Sequence, residues 1–364
     1  MLRALSKNVI ACACTWSGAV RLFARTDPTV MPFIVGYHRV VENFEESSKR
    51  TIPSMLISTT TFEQHVDWLA KRFQIMSVDE IGRRLRSGQR FGRPTAAITF
   101  DDGYADVYHY AFPILRRKGL PAAVFVVTSL IGTSQMQLSD RLYIVLKQRQ
   151  LSGNSPEMFV MNAMENLGMP VTRLPEWGML GQDPLRLLTL LLNRFRHDEI
   201  RALIGTLELQ QATNPRAADE MAPMSWDMLS EMSANGITIG SHTKSHALLT
   251  SERMATVEAE VIESKHVLEQ HLRRPVHHFA YPDGRCNPTI VGAIKKAGYE
   301  YGYTICHWRD GHDPLFTIPR KMLWERAAVN ALSRFSGPIM SCHVSGMFDH
   351  NGFCEHDHRV VRYE

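Results

Sequence analysis

Apolar runs that end in polar residues constrain the fold of this chain more than any other feature. Residues 96–100 are mostly apolar and lead directly into Asp101 and Asp102, and residues 237–239 are followed closely by His242. A short apolar run without polar alternation is typical of a strand covered on both faces, as in a parallel sheet. Catalytic and binding residues of such folds gather where the strands end. The two runs therefore predict a polar site at the carboxyl edge of a parallel sheet.

Amphipathic helices alternate with further runs of this kind. Phe62, Val66 and Leu69 recur at helical spacing, and comparable patterns separate the other apolar runs. These other strand-like runs lie within residues 33–38, 122–127, 277–284 (where the strand leads into a turn), 301–305 and 316–320. Repeated strand–helix units predict an α/β fold with a parallel sheet, open or closed.

Residues 134–222 interrupt this alternation. The stretch is rich in Met, Leu and Arg, and no strand is evident in it. Its helical runs lie near residues 141–150, 184–193 and 199–212. We therefore expect a helical insertion on a loop of the α/β fold, over the face that carries the site. The expected organisation is an N-terminal helical segment (1–31), a barrel (32–133 and 223–335) interrupted by the insertion (134–222), and a C-terminal tail (336–364).

Composition narrows the class of function. The chain has 364 residues, of which 44% are hydrophobic, and this is enough for one large core or two medium ones. The net charge of +4 is small for this length and no concentrated basic patch is present, so we expect no nucleic-acid partner. The six cysteines form no Cys-x-x-Cys pair, which argues against a structural zinc site.

The N-terminal segment favours contact with a membrane surface. Residues 9–20 are mostly apolar and lie between Lys7 and Arg21. This run is too short to span a bilayer. Arg21 and Arg25 stand where a signal peptide would need small residues for cleavage. We expect a packed helix or a peripheral membrane association, with a cytoplasmic or membrane-peripheral location favoured over secretion.

The polar residues after the two apolar runs suit a metal centre. Asp101 and Asp102 are adjacent on an extended segment, so their side chains point in different directions. One carboxylate with the imidazoles of His242 and His246 suits Zn²⁺ or another first-row divalent ion and leaves positions open for water and substrate. The second carboxylate is then free to act as a base. Either motif alone is weak evidence, but the two together after buried strands predict a metal hydrolase.

The two motifs resemble those of a known family. Thr-Phe-Asp-Asp-Gly at 99–103 together with His-Thr-Lys-Ser-His at 242–246 is similar to the polysaccharide deacetylase family, also called the NodB-homology or carbohydrate esterase 4 group. The resemblance covers about residues 33–133 and 223–325. It implies a distorted (β/α)7 barrel, here with a helical insertion, that removes N-acetyl or sometimes O-acetyl groups from glycans.

The resemblance also implies roles for the site residues. Asp102, His242 and His246 would bind the metal, with Zn²⁺ expected and Co²⁺, Ni²⁺ or Fe²⁺ as alternatives. Asp101 would be the general base that takes the proton of a water whose pKa the metal has lowered, and that water would attack the acetamide carbonyl. The metal and a backbone N–H would hold the developing oxyanion.

One motif of the family is altered in the segment 279–284. Ala280 stands where many members carry an arginine that is oriented against the catalytic aspartate. We expect Arg320 to take over this contact. The N–H that holds the oxyanion would come from the turn 281–284, which gives Tyr281 and Asp283 as candidates.

The family's general acid is also missing from its usual place, because the C-terminal Leu-x-His motif is absent. A Tyr-His pair at Tyr37 and His38 and a Phe-Ala-Tyr-Pro turn at 279–282 are similar to the branch that resembles biofilm poly-N-acetylglucosamine deacetylases. In that branch the acid comes from the N-terminal side of the domain. We therefore expect His38 to be the general acid.

The expected function is a metal-dependent hydrolase that removes N-acetyl groups from N-acetylhexosamine residues of an exopolysaccharide or cell-envelope glycan. One alternative is a deacetylase or deformylase of a lipid-linked sugar, which fits the apolar and basic N-terminus. Another alternative is a non-catalytic glycan-binding module, although a pure binder has no need of a base beside a metal. Tyr104, Trp226 and Trp308 are candidates for stacking on sugar rings, although the helical spacing of Trp226 favours a place in the core.

Overall fold

A parallel sheet organises the chain in the computed structural model, which describes residues 2–17, 31–174, 182–211, 219–305 and 309–348. The strands are β1 (Phe33–Tyr37), β2 (Arg39–Val41), β3 (Leu56–Ser58), β4 (Gln74–Ile75), β5 (Thr95–Phe100), β6 (Ala122–Val126), β7 (Ile237–Ser241), β8 (His278–Ala280), β9 (Tyr301–Tyr303) and β10 (Lys321–Met322). The order across the main sheet is β10-β1-β5-β6-β7-β8-β9, with β4 beside the start of β5. The strands β2 and β3 form a separate parallel pair.

Helices surround the sheet and follow the local sequence. Within the described residues the α-helices are α1 (Leu2–Trp16), α2 (Phe44–Ser47), α3 (Thr59–Ala70), α4 (Val78–Ser87), α5 (Phe112–Lys118), α6 (Leu138–Leu151), α7 (Pro156–Asn166), α8 (Pro184–Arg194), α9 (His197–Gln210), α10 (Trp226–Ala234), α11 (Met254–Leu272), α12 (Pro288–Lys296) and α13 (Gly337–Val344). Side chains of Ser58, Ser77 and Ser225 cap the starts of α3, α4 and α10. Gly88 and Gly119 end α4 and α5 in the left-handed conformation.

The sheet curls so that its two edges approach each other. Tyr303 in β9 forms a parallel bridge with Ile318, and β10 follows three residues later and pairs with β1. Every pairing in the main sheet is parallel. The predicted α/β class with a parallel sheet is therefore confirmed. The run 316–320 was expected to be a strand, but the strand lies just beyond it in β10.

The helices α6 to α9 share a hydrophobic cluster of their own. Leu142, Val160, Leu191 and Leu203 are fully or almost fully buried in this cluster, which is separate from the clusters that line the sheet. Residues 134–174 and 182–211 contain no strand. This packing supports our proposal that 134–222 form one inserted unit, of which residues 175–181 and 212–218 lie outside the described part.

The ends of the described chain meet, since α1 contacts α13. The segment from 336 was expected to be a tail, and this needs correction because residues 337–344 form α13. Ser336 caps this helix and Ile339, Met340 and Cys342 are buried along it. Residues 18–30 of the N-terminal segment and 349–364 of the tail lie outside the described residues. In the ranges that the structure covers, no helix is both long and apolar enough to cross a bilayer.

Candidate active site

The two polar motifs lie at the carboxyl ends of β5 and β7, on either side of β6. The end of β6 connects them: the His242 N–H donates to the Val126 carbonyl (2.9 Å), and the Val127 N–H donates to the Asp102 carbonyl (3.5 Å). The residues Asp101, Asp102 and His242 are almost completely buried, with at most 3% of their surface exposed to solvent. The parallel sheet therefore fixes the distance between the carboxylates and the imidazoles.

Three residues at these motifs have a left-handed backbone. The φ angles are 73° at Asp102, 70° at Thr243 and 63° at His246. This conformation is uncommon for any residue with a side chain and is strained for a β-branched threonine. Hydrogen bonds hold the loop in place: the Thr243 N–H donates to Ser241 Oγ (3.2 Å), and the His246 N–H donates to Thr243 Oγ1 (2.8 Å).

Asp102, His242 and His246 form one cluster of potential metal ligands. Their ligand atoms all lie within 4.8 Å of one another. The Oδ1 atom of Asp102 is 3.7 Å from His242 Nε2 and 3.4 Å from His246 Nε2. The structure thus brings together the three residues that the sequence analysis selected as ligands.

The donor set fits a cation. The Nδ1 atom of His242 lies 2.8 Å from the Ala280 carbonyl, which can only accept, so Nδ1 carries the proton and the Nε2 lone pair faces Asp102. Burial lowers the pKa of His242 and of His246, so both imidazoles are neutral and able to bind a metal. The Asp102 Oδ1 atom is buried and accepts no hydrogen bond. Such an oxygen between two imidazoles is suited to a divalent ion.

Asp101 is held by a buried guanidinium. Arg320 Nη1 donates to Asp101 Oδ1 (2.6 Å) and Nη2 donates to Oδ2 (2.8 Å), and Arg320 also donates to the Thr304 carbonyl and to Thr99 Oγ1 (3.3 Å each). Burial is the largest single influence and would raise the pKa of Asp101. The charge and hydrogen bonds of Arg320 together with the neighbouring His242 and His38 outweigh it and lower that pKa to about 2. The contact expected between Arg320 and Asp101 is therefore present, as a two-pronged ion pair.

His38 follows β1 and lies in the wall of the same cavity as Asp101, Asp102 and both ligand histidines. Its side chain is half-buried. Burial lowers the pKa of His38 to about 4, although the Asp101 carboxylate opposes the shift. The structure brings His38 to the site, and at neutral pH its imidazole starts uncharged.

Within the turn 281–284, Tyr281 lies in the core and Asp283 lines the cavity. Tyr281 is fully buried, its N–H donates to the Tyr303 carbonyl (3.1 Å) and its hydroxyl donates to the Phe316 carbonyl (2.9 Å). The expectation that Tyr281 binds substrate or oxyanion is therefore corrected, because its donors are used in the core. Asp283 has a φ of 53° and lines the cavity. It is the residue of this turn that stays a candidate.

A cavity of about 330 Å³ lies over the ligand cluster. Much of its lining is aliphatic or thioether, and we call these residues the apolar wall: Ile52, Met55, Leu138, Leu188, Leu192, Ile200, Leu248, Ile305 and Met322. Leu188 and Leu192 belong to α8, so the inserted helices form part of the cavity.

One residue of the site escaped the sequence analysis. Gln137 precedes α6, is 4% exposed and lines the cavity, where its side chain contacts Asp102. The Tyr104 hydroxyl lies 3.4 Å from Gln137 Oε1 and donates to Asp140 Oδ2 at 2.6 Å. The only sequence signal for Gln137 was its place before the first helix of the insertion.

Two of the three aromatic residues considered for sugar stacking, Tyr104 and Trp226, do not line the cavity. Tyr104 is buried in the hydrogen-bonded group with Asp140. Trp226 stacks on His271, with ring centroids 3.8 Å apart. Trp308 lies outside the described residues. The stacking contact considered for Tyr104 is thus wrong, whereas Trp226 packs against the core as its helical spacing favoured.

Comparison with known proteins decides the family. A family model described as "Polysaccharide deacetylase" matches residues 88–152 and 203–302. The matched part of the chain is a domain of the polysaccharide deacetylase family. Asp101, Asp102, His242 and His246 fall inside the matched segments, whereas His38 and Arg320 lie outside them.

Relatives of this deacetylase family member are distant in sequence. It is 22% identical over 314 residues to the poly-beta-1,6-N-acetyl-D-glucosamine N-deacetylase of Staphylococcus aureus (strain N315), covering 83% of this chain and 82% of the relative. It is 20% identical over 252 residues to the putative polysaccharide deacetylase YxkH of Bacillus subtilis (strain 168), covering 69% of this chain. The match spans 59% of the YxkH protein's length.

Solved structures show the same fold. The Streptococcus pyogenes deacetylase PplD in complex with acetate aligns with a TM-score of 0.53 at 17% identity, covering 86% of this chain and 97% of that one. IcaB from Ammonifex degensii aligns with a TM-score of 0.50 at 16% identity, with the same coverage of both chains. The predicted NodB-like barrel of this deacetylase family member is therefore confirmed.

Proposed function

We propose that this protein is a metal-dependent hydrolase that removes N-acetyl groups from N-acetylhexosamine residues of a glycan. The observation that carries the proposal is the buried Asp102, whose unpartnered Oδ1 faces two neutral imidazoles beside a second carboxylate. An exopolysaccharide or cell-envelope glycan is the proposed substrate. The relatives named as poly-beta-1,6-N-acetyl-D-glucosamine N-deacetylases support this choice.

The residues divide into a metal-holding set and a proton-transfer set. Asp102, His242 and His246 would hold the metal, with Zn²⁺ as the proposed ion. A divalent ion in this place supplies a water of lowered pKa and polarises the acetamide carbonyl. Asp101 accepts the proton of the attacking water, and its ion pair with Arg320 keeps the carboxylate ionised and correctly oriented.

His38 and Asp283 complete the proposed reaction. His38 gives a proton to the leaving amine, and because its imidazole starts uncharged it must first take up that proton from solvent, while Asp101 holds the proton of the attacking water. The backbone of Asp283 is the proposed donor to the oxyanion. Both residues line the cavity that contains the ligand cluster.

The Asp101→Asn variant tests the function and the base together. Its metal content should equal that of the unaltered protein, while acetate release from N-acetylglucosamine oligomers should fall by about 10²–10⁴-fold, the usual contribution of a general base. Metal analysis and an acetate assay on the purified, metal-loaded protein measure both. The exposed Asp227→Asn is the matched control and should change neither. Full turnover by Asp101→Asn would refute the base, and no acetate from any glycan would refute the function.

The apolar wall favours one second candidate, a lipid-linked sugar. Nine aliphatic or thioether residues in the cavity lining are unusual partners for a sugar, but they would bury hydrocarbon at roughly 25 cal/mol per Å². Acetate release from a polyprenyl-linked N-acetylhexosamine, compared with a soluble oligomer of the same sugar, separates the candidates. A strong preference for the soluble oligomer would exclude the lipid-linked substrate.

A further inference from the structure

A second, polar groove opens directly beside the cavity of the candidate active site. It has a volume of about 570 Å³ and shares part of its wall with the cavity, namely Gln137, Leu138, His197, Ser245 and Glu252. Ser245 precedes the ligand His246, and Gln137 contacts the ligand Asp102. A molecule bound at the ligand cluster can therefore extend into this groove without leaving the protein surface.

Basic side chains from different parts of the chain converge on the groove. They are Arg141 in α6, Arg196 and Arg201 at the start of α9, Lys244 in the loop between the ligand histidines, and Arg253 before α11. Such a convergence from elements that are distant in sequence is not explained by the solvation of a single helix face.

Two of these cations are already paired. Arg141 forms a two-pronged contact with Glu208 (3.0 and 2.5 Å), and Lys244 pairs with Glu263. Neither carboxylate lines the groove. Arg196, Arg201 and Arg253, by contrast, make no ion pair with any carboxylate in the part of the chain that the structure describes.

The carboxylates that do line the groove have backbone partners. Glu252 accepts the N–H of His197 (2.8 Å), Glu260 accepts the N–H and hydroxyl of Ser245 (2.8 and 2.6 Å), and Asp198 accepts the N–H of Glu199 (2.9 Å). These contacts stabilise helix starts and the ligand loop. The lining of the groove thus holds five basic and three acidic side chains, an excess of positive charge. Three of its guanidinium groups have no ion pair among the described residues, although that of Arg201 lies 3.2 Å from His197 Nε2.

We propose that this groove binds a phosphate group carried by the substrate, next to the sugar whose acetamide is hydrolysed. A guanidinium can bind two phosphate oxygens at once, and three such groups suit an anion with several oxygens and more than one charge. The inference rests on the proposed function, since it places the phosphate relative to the sugar. The phosphate comes either from a lipid-linked sugar or from a soluble or polymeric sugar phosphate.

The test compares a charged with a neutral substrate on the metal-loaded, full-length protein. N-acetylglucosamine 1-phosphate should have a KM at least about tenfold lower than the neutral methyl glycoside of N-acetylglucosamine, because charge-assisted hydrogen bonds contribute at least that factor. Arg196→Gln and Arg253→Gln should each raise the KM for the phosphate by about tenfold and leave kcat, and all constants for the neutral sugar, unchanged. Equal KM values, or equal effects of the variants on both sugars, would overturn the proposal.

Two controls keep the outcome specific. Arg186→Gln removes an exposed arginine of α8 that lines neither cavity, and it should change nothing. Calorimetry with the Asp101→Asn protein measures the affinity of the sugar phosphate for the groove in the absence of turnover. Suppose that the sugar phosphate binds in a way that depends on the arginines, but the unaltered protein releases no acetate from any glycan. The phosphate site would then stand and the proposed function would be refuted. A further drop of KM for a polyprenyl diphosphate-linked sugar would assign the phosphate to a lipid carrier, and no drop would assign it to a soluble or polymeric source.

Discussion

At the scale of single residues, the contact between Arg320 and Asp101 places two opposite charges in the protein interior. Both side chains are almost entirely excluded from water, at 0% and 3% exposure. Removing two charges from water is costly, and the pair is stable only because two short hydrogen bonds and further acceptors satisfy the guanidinium. Either charge, left buried without the other, would therefore destabilise the folded protein.

Arg320→Gln should destabilise the protein by about 3–5 kcal/mol, because it leaves the Asp101 carboxylate buried and unpaired. In the Asp101→Asn background the same substitution should cost clearly less. Urea unfolding of the two single variants and the double variant measures this coupling. The exposed Arg326→Gln is the control and should stay within about 0.5 kcal/mol of the unaltered protein. Equal losses in both backgrounds would show that the ion pair has no energetic role.

His38→Ala should lower the rate of acetate release by about 10²–10⁴-fold if His38 protonates the leaving amine. The substitution removes a half-buried group from the cavity wall, so the fold and the metal content should be retained. Steady-state kinetics with an N-acetylglucosamine oligomer measure the effect, and the exposed His109→Ala gives the baseline. A change of less than about threefold would leave His38 with a structural role.

Residue identities in the site could be predicted where the motif itself carries the chemistry. Asp102, His242 and His246 come together because each follows a strand of one parallel sheet. The place of Arg320 could be expected from the lack of arginine at Ala280. Tyr281 could not be assigned, because the partner of its N–H lies in β9 and the pairing of distant strands is invisible in a local pattern.

At the scale of elements, the turn from β5 into the ligand residues is tightly packed. Gly103 has a φ of +81°, and a Cβ atom there would lie 3.0 Å from Ile131 Cδ1 and from Val126 Cγ1. Gly119 has a comparable φ of +63° but no atom within 4 Å of such a Cβ. An alanine at either position therefore strains the backbone, but only an alanine at 103 also crowds its neighbours.

Gly103→Ala should lower metal affinity, because relief of the crowding moves the adjacent Asp102. Gly119→Ala should cost only the strain of the left-handed backbone, about 1 kcal/mol, and should leave metal affinity unchanged. Metal titration and urea unfolding of both variants give the comparison. An equal metal affinity for the two variants would contradict a rigid turn at β5.

The elements were predictable where the local sequence carries a pattern. Most of the long helices show helical periodicity, and β1, β5, β6, β7, β8 and β9 coincide with the apolar runs of the sequence. The strands β2, β3, β4 and β10 have two or three residues each and lie outside those runs. The orientation of α8 towards the cavity depends on packing between helices, so the apolar wall had no local signal.

At the scale of the whole molecule, metal binding should stabilise the folded state. An ion that binds only the native protein adds about 2.7 kcal/mol when its free concentration is one hundred times its Kd, which corresponds to roughly 3–4 °C in Tm for a chain of 364 residues. Chelation should therefore lower the Tm by about this amount. Calorimetry with and without chelator measures the shift, with Zn²⁺ added back as the reversal. His246→Ala should abolish the shift, and exposed His266→Ala should keep it.

The left-handed residues Asp102, Thr243 and His246 have a consequence for the working life of the protein. Each such backbone costs about 1–3 kcal/mol, and hydrogen bonds from Thr243 and His246 to protein groups offset part of that cost. We therefore expect the ligand loops to keep their shape when the ion leaves. A protein built in this way can be emptied and refilled repeatedly without misfolding, so its activity would rise and fall reversibly with the free metal concentration of its surroundings.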